Sequence, residues 1–344
     1  MSLTAADLAL RKQGMSATDV VTIATAGDGG YGSPLEVYLS KTTDAPGWAG
    51  NLRTEMGHAA EPVIMRELAK VYGLALVPSP TVRSRIVPHF LATPDRLAID
   101  AKGTPVATVE GKLVGYRMVR RWYDDDALVF PDEVAIQVAW QQGVMRSAEG
   151  FEHSRVDRGY IGALLGDFGE EAFHHTVMPW EGAVEELWLQ LSALVDEWWK
   201  RHVVAGVPPT PDGSARTREA LEKMYPAFRK PVLAQASAEA AALMARLVEV
   251  RAAKNGAEAE QELIGNQLRA LIGAAGAEGL RSAEHKCSWK AQAGKVSVEK
   301  IRAHLNWSED DLDPFRGEQS RVLRVTALSK KDRAYAATVH GLTE

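Results

Sequence analysis

Ala92-Thr93-Pro94-Asp95-Arg96-Leu97-Ala98-Ile99-Asp100, continuing through Ala101-Lys102-Gly103-Thr104-Pro105 into Val106-Ala107-Thr108-Val109-Glu110-Gly111-Lys112-Leu113-Val114, is the stretch that decides the fold. Two apolar-rich runs, Arg96 to Asp100 and Val106 to Val114, flank five residues with the Gly, Thr and Pro of a turn. That pattern predicts a β-hairpin. A hairpin brings Asp95, at the head of the first run, toward Glu110 in the second. Side chains two apart on a strand share a face, so Glu110 and Lys112 project together.

Two acids and a lysine in this arrangement have the form PD…(D/E)xK, a signature of divalent-metal nucleases. Phosphodiester hydrolysis uses one or two hard cations to activate water and to neutralise charge at the leaving oxygen, and such ions take oxygen ligands. Asp95 and Glu110 supply carboxylates and Gly111 offers its carbonyl, so Mg²⁺ is the expected ion, with Mn²⁺ able to substitute. Lys112 would orient the attacking water or meet the phosphate. A bare match of this kind also arises from solvated surface charge, so other parts of the chain must bear on the choice.

With 344 residues, the chain has room for one large domain or two. Hydrophobic residues at 46% and charged residues at 25% are those of a soluble globular protein. No apolar run approaches the roughly 18 residues of a membrane span and no signal-peptide pattern opens the chain, so a cytoplasmic protein without a membrane partner is expected. The single cysteine, Cys287, excludes an intramolecular disulfide and reads as a packed residue. A net charge of -5 argues against a protein that coats nucleic acid by bulk attraction. Locally the balance differs: Lys112, Arg117, Arg120 and Arg121 occur between Glu110 and Asp124 with no acid among them, and Arg83 and Arg85 precede the hairpin. These cations either line a phosphate track or form a solvated strand end.

Helices are predicted over Ala5 to Gln13, from a cap at Ser16 or Thr18 onward, and from Ser33-Pro34 to Lys41. Gly27 to Gly32 lacks the ending of a nucleotide-binding loop and reads as a connection. A further helix is expected over Gly57 to Tyr72, with Pro62 near its start. On it Glu61 shares a face with Ile64, Leu68 and Val71, and is either a carboxylate aimed at a cation or a first-turn acid favoured by the helix dipole. Pro131-Asp132 opens a helix through Met145 on which Gln137 and Gln141 face the same way with Trp140 beside them; the amides hold a phosphate, a water or a metal ligand, or are plain surface groups. Strands follow at Arg158 to Leu165 and Ala172 to Val177, where His174 and His175 point to opposite faces and so do not make a metal pair. The helix Glu181 to His202 is expected to pack Leu187, Leu191, Leu194 and Trp198 on the sheet. Helices alternating with strands imply an α/β sandwich with a mixed sheet.

Gly206-Val207-Pro208-Pro209-Thr210-Pro211-Asp212-Gly213 is the clearest punctuation, giving a core over 1–213 and an extension over 214–344. In the extension, Ala236 to Ala274 keeps helical spacing, either as one long helix or as a hairpin broken at Asn255-Gly256. Ser288-Trp289-Lys290 and Ser320 to Thr326 read as strands of a small sheet. The extension has the composition of an interaction or clamp module.

In order along the first two hundred residues, the motifs resemble the lambda-exonuclease-like, YqaJ-type phage recombination nucleases of the PD-(D/E)XK fold. Arg11-Lys12-Gln13-Gly14-Met15-Ser16-Ala17-Thr18-Asp19 is similar to that family's opening, Ser33-Pro34 to Lys41 to its next helix, and Gly57 with Glu61 to its G-x-x-x-E helix. Ala92-Thr93-Pro94-Asp95-Arg96-Leu97 is similar to its (A/G)-x-P-D-G-L motif, Gln137-Val138-Ala139-Trp140-Gln141 to its Q-V-Q-x-Q helix, and Trp198-Trp199 through Val203, Gly206, Pro208 and Pro209 to its close. Three departures stand out: Leu113-Val114 after the lysine instead of Cys or Thr and Pro, Arg96 for Gly, and Ala139 for Gln.

The resemblance implies a restriction-endonuclease-like core with a central mixed β-sheet flanked by helices, followed by a helical and small-β extension. It implies a 5′→3′ double-strand DNA exonuclease that leaves 3′ single-stranded tails, with duplex ends, a phage single-strand annealing protein and further copies of the chain, in a ring, as partners. By the same resemblance Arg11 and Thr18 receive the 5′-phosphate. The expected metal ligands are Glu61, Asp95, Glu110 and the Gly111 carbonyl, with Lys112 and Gln137 assisting and Gln141, Arg117 and Arg120 toward substrate. The alternatives are a structure-specific or single-strand endonuclease on the same fold and a non-catalytic DNA-end-binding or assembly protein.

Overall fold

Reciprocal capping starts the early helices. In α1 (Ala5–Lys12), α3 (Pro34–Thr42) and α4 (Leu52–Tyr72), the side chains of Thr4, Ser33 and Asn51 accept the N–H of the residue three further on, whose own side chain takes their N–H in return. At α2 (Ala17–Ala24) the Ser16 N–H donates to Asp19 Oδ2 at 2.8 Å. The computed structural model describes residues 4–25, 32–44, 50–124, 127–166, 172–225, 235–291, 298–308 and 310–315. Residues 27–31 of the glycine-rich connection and the strand expected at Ser320 to Thr326 lie outside the described residues.

One expectation changes at α4. The Asn51 cap starts this helix at Leu52, well before Gly57, so Pro62 lies in its interior rather than near its start. Proline there removes one i→i−4 hydrogen bond, and the burial of Ile64, Met65 and Leu68 on the same helix offsets that loss. Gly73, at φ 65°, ends the helix in the left-handed conformation that glycine adopts without strain.

β1 (Ala75–Pro78), a short ladder of β2 (Val82–Arg83) with β3 (Leu91–Ala92), β4 (Arg96–Ile99) and β5 (Pro105–Val114) follow. β4 and β5 form the predicted antiparallel hairpin, with Arg96 opposite Val109 and Leu97 opposite Thr108. A 3₁₀ turn over Tyr116–Trp122, the pair β6 (Tyr123–Asp124) and β7 (Ala127–Leu128), and α5 (Asp132–Met145) connect to β8 (Arg158–Leu165), which returns parallel to β5; β9 (Phe173–Pro179) then lies antiparallel to β8. The five-stranded sheet runs β1-β4-β5-β8-β9 and is mixed, as a β-strand–helix–β-strand crossover flanked by hairpins requires.

Strand alternation assigns the two faces. Ala107 and Val109 of β5 pack with Ile64, Met65 and Leu68 of α4. Val114 of β5 and Ile161, Ala163 and Leu165 of β8 pack with Val134 and Val138 of α5. α5 is buried nearly all round: its other side, with Ile136, Trp140 and Val144, meets α2 and the helix α6 (Ala183–Trp198). Here a second expectation fails. α6 packs on α5, not on the sheet, burying Leu191, Val195 and Trp198 and leaving Leu194 41% exposed. Helical periodicity reveals an apolar face but not which element covers it.

The chain divides into two compact units, Met1–Pro226 and Ala227–Glu344. After the Pro-rich punctuation, α7 (Ala215–Met224) packs Ala220 against Leu35 and Leu39 of α3 within the first unit. In the second unit, α8 (Ala238–Ala274) is one unbroken helix through Asn255 and Gly256. β10 (Gly279–Arg281) pairs antiparallel with β11 (Lys286–Ser288), the strand holding Cys287, and α9 (Val298–Leu305) follows. Among the described residues no helix is long and apolar enough to cross a membrane.

Candidate active site

Glu110 and Lys112 leave the same face of β5, the one toward α5. Lys112 Nζ donates to Glu110 Oε1 at 2.6 Å and to Gln137 Oε1 at 2.7 Å. The Gln137 amide in turn donates to Glu110 Oε1, and Gln141, one helical turn on, donates to Glu110 Oε2 at 2.8 Å. Glu110 is 3% exposed and Gln141 1%. At such burial a carboxylate persists only with charged or hydrogen-bonding partners, and this one has an ammonium and two amides. Trp140, expected beside the glutamines, points away and donates its indole N–H to Leu91 O at 2.9 Å.

Gly111, between the two, turns to the opposite face. A Cβ there would lie 2.9 Å from Met65 Cε and 3.2 Å from Ile64 Cγ2, so α4 sits close against the strand at this residue. The Gly111 N–H donates to Asp95 Oδ2 at 2.8 Å, fixing the first acid beside the second. The Asp95 carboxyl is pushed up to about 7, first by burial and then by the negative charge of Glu110, with a smaller push from Glu61; Lys112 and the Gly111 N–H oppose this.

Glu61 departs from the expected convergence. Its Oε1 accepts from Arg96 Nη1 at 2.6 Å, and the same guanidinium nitrogen bonds the Asp95 carbonyl. Among the described residues no three carboxylate, imidazole or thiol groups stand together as ligands of one ion. The physical reason is Arg96, standing where the resemblance has glycine: a guanidinium at the head of β4 captures the nearly buried Glu61 of α4 as an ion pair. The donor set at Asp95 and Glu110 nevertheless suits a hard divalent cation. Two adjacent carboxylates, Glu110 buried and Asp95 half-buried, with Asp95 raised by its desolvation and then by the charge of Glu110, are relieved by a cation placed between them.

Arg11 stands near the end of α1 and Thr18 is exposed in the first turn of α2; the segment between them is tied to the chain that leads into Asp95, the Met15 N–H donating to His89 O at 2.7 Å and the Leu91 N–H to Met15 O at 3.0 Å. Lys41 holds their segment together: its Nζ donates to Arg11 O and to Asp19 Oδ2, both at 2.8 Å, from a side chain 4% exposed. Sequence reasoning treated Lys41 only as a helix end; the signal available was a lysine one residue from the end of a helix whose apolar residues are buried. Arg117 and Arg120 are exposed on the 3₁₀ turn that follows β5, next to the 82% exposed Tyr116, while Arg121 pairs with Glu133 at 2.9 Å. His174 and His175 separate as expected, His175 Nδ1 meeting Tyr72 Oη at 2.8 Å and His174 lying near Tyr123.

A mixed five-stranded sheet, helices on both faces and an acid–acid–lysine cluster on the central hairpin define the PD-(D/E)XK class of α/β core. Residues 8–147 match the family model of the YqaJ-like viral recombinase domain. The chain is similar to the crystal structure of an alkaline exonuclease from Laribacter hongkongensis, with 16% identity over 59% of this chain and 100% of that one and a TM-score of 0.39. A phage-related exonuclease from Haemophilus somnus 129PT is similar at 12% identity, over 56% of this chain and 96% of that one, with a TM-score of 0.39. A comparison with curated proteins gives no match.

Proposed function

We propose that this protein is a Mg²⁺-dependent deoxyribonuclease of phage-type recombination that digests one strand of a DNA duplex from its 5′ end and leaves 3′ single-stranded tails. The observation that carries the reading is the partly buried cluster of Asp95, Glu110, Lys112 and Gln137 on the central hairpin and α5, within the residues that match the YqaJ-like viral recombinase model.

Asp95 and Glu110, with the Gly111 carbonyl, would hold the cation, and Glu61 would join them once released from Arg96. When bound, the cation supplies Lewis-acid stabilisation of the phosphoryl group and a more acidic water. Lys112 is 18% exposed on its side chain, so its ammonium can reach solvent while anchored to Glu110 and Gln137. From there it donates to the attacking water or to a non-bridging phosphate oxygen. Gln137 and Gln141 keep the Glu110 carboxylate in one orientation throughout, which keeps the reacting groups aligned. Hydrolysis forms a bond from water oxygen to phosphorus and breaks the bond to the 3′-oxygen, which leaves with a proton.

Arg11 and Thr18 would receive the 5′-phosphate, the guanidinium by a bidentate contact and the hydroxyl as a donor. Arg117 and Arg120, exposed beyond the catalytic strand, would contact the backbone. A phage single-strand annealing protein would load on the tails, and further copies of the chain would enclose the duplex.

The test is a linear duplex labelled at one end, with and without a 5′-phosphate, incubated with the protein in Mg²⁺ and then in EDTA, alongside a closed circular duplex. The expected result is Mg²⁺-dependent loss of the 5′-phosphorylated strand, slower without that phosphate, and an intact circle. Cleavage of the circle would replace the exonuclease by an endonuclease on the same fold; tight end binding with no cleavage in Mg²⁺ or Mn²⁺ would overturn hydrolysis altogether.

A further inference from the structure

α8 presents an apolar row to solvent. Its 37 residues span about 55 Å at 1.5 Å per residue. Leu243, Leu247, Val250, Ile264, Leu268 and Leu271 follow one another at steps of four and three, and the same steps continue through the middle of the row at Lys254, Ala257 and Gln261. The row has the four-three spacing of a coiled-coil seam, with the exposed Met244, Val248 and Leu263 beside it. Leu243 is 64% exposed, Ile264 48% and Leu271 58%. Asn255 and Gly256, both poor helix formers, fall at the outer heptad positions b and c, off the seam.

We propose that α8 pairs antiparallel with α8 of a second copy of this chain, forming a two-stranded coiled coil whose twofold axis passes between Asn255 and Gly256. The seam is a mirror about that point. Reversing one helix sets Leu243 against Leu268, Leu247 against Ile264, Val250 against Gln261 and Lys254 against Ala257. Each layer then joins an a position of one helix to a d position of the other, as antiparallel packing requires. Apolar layers lie at both ends, and the polar residues that fix register lie at the centre.

Charge selects the direction. Antiparallel pairing places Arg251 beside the second copy's Glu258, twice by symmetry, whereas parallel pairing places Arg246 beside the second copy's Arg251. More broadly, Arg246, Arg251 and Lys254 outnumber Glu239 and Glu249 in the first half of the helix, and Glu258, Glu260 and Glu262 outnumber Arg269 in the second, so the halves carry opposite net charge. Within one helix Leu247 and Ile264 are about 25 Å apart. Because α8 runs unbroken between them, only another chain can bring them together. The inference does not rest on the nuclease reading.

The test uses the full chain with Cys287→Ser. Oxidising the Leu247→Cys, Ile264→Cys double variant is expected to give a covalent dimer, and neither single variant is expected to cross-link. Cross-linking of the single variants would establish a parallel pair, a disulfide within one chain would establish a hairpin, and a monomer in sedimentation at about 100 µM would exclude pairing; each overturns the proposal. Charge reversal reads the same contact without new cysteines. Arg251→Glu is expected to raise the dimer dissociation constant about ten-fold and Arg251→Glu with Glu258→Arg to restore it, with helix content by circular dichroism unchanged. Tighter association of Arg251→Glu, the result for a parallel pair, would overturn the proposal.

Discussion

Asp95 sits where two negative charges and burial act together, and its neighbours show how a few side chains set the chemistry. Glu110 draws Lys112, Gln137 and Gln141 around it, and the Gly111 N–H ties Asp95 alongside. Arg96 is the residue that distinguishes this cluster from one with three free carboxylates. Its guanidinium binds Glu61 at 2.6 Å and also the Asp95 carbonyl. Replacing it with glycine is expected to free Glu61 as a third ligand and to tighten Mg²⁺ binding about ten-fold, about 1.4 kcal/mol, read by calorimetric titration of the metal into the protein. Weaker or unchanged binding by Arg96→Gly would show that Glu61 has no part in holding the ion. The placement of Asp95, Glu110 and Lys112 side by side could be read from the sequence because an acid before one strand and an acid and lysine two apart on the next have few ways to be arranged. The capture of Glu61 could not, because an ion pair between a helix and a strand thirty-five residues away leaves no local pattern.

Among the elements, helix starts were legible because capping is local chemistry. Ser16 and Ser33 announce α2 and α3, whereas α4 begins at an Asn51 cap that the sequence reading passed over in favour of Gly57. What an element packs against is a long-range matter, and α6 illustrates it by covering α5 instead of the sheet. The cause is Gly143: a Cβ there would stand 2.1 Å from Trp188 Cε3, so only glycine lets the two helices approach this closely. Gly143→Ala is expected to destabilise the first unit by about 3 kcal/mol, measured by urea unfolding, with α6 displaced; a loss within about 0.5 kcal/mol would mean that the Trp188 ring yields freely. The link between α1, α2 and α3 is electrostatic. Asp19 is held below the ordinary carboxylate value of 3.8: burial pushes it up, but Lys41 and the Ser16 bonds outweigh that. Its contribution is therefore complete above pH 3.8 and is lost as the pH falls through the lower native value. Lys41→Met should cost about 3 kcal/mol at pH 7, and the difference from the parent protein should shrink at pH 3. A difference that is the same at both pH values would contradict this sign.

For the molecule as a whole, a net charge of -5 must be reconciled with the polyanionic substrate proposed for it. The reconciliation lies in local placement, since Arg117 and Arg120 are exposed just past β5 while many acids are spent on caps and pairs such as Asp7, Asp19 and Glu36. Removing both arginines is expected to weaken duplex binding across all sequences and to flatten the slope of log affinity against log salt by about 2; an unchanged slope would place the phosphate track elsewhere. The central claim is that Glu110 and Lys112 act in phosphodiester hydrolysis. Single-turnover digestion of a 5′-phosphorylated duplex in saturating Mg²⁺ tests it most directly, comparing the parent protein with Glu110→Gln and Lys112→Ala at matched end binding. The account predicts rates lower by at least about 10²-fold in both variants with end affinity nearly retained. Parent-like rates in either variant would contradict it.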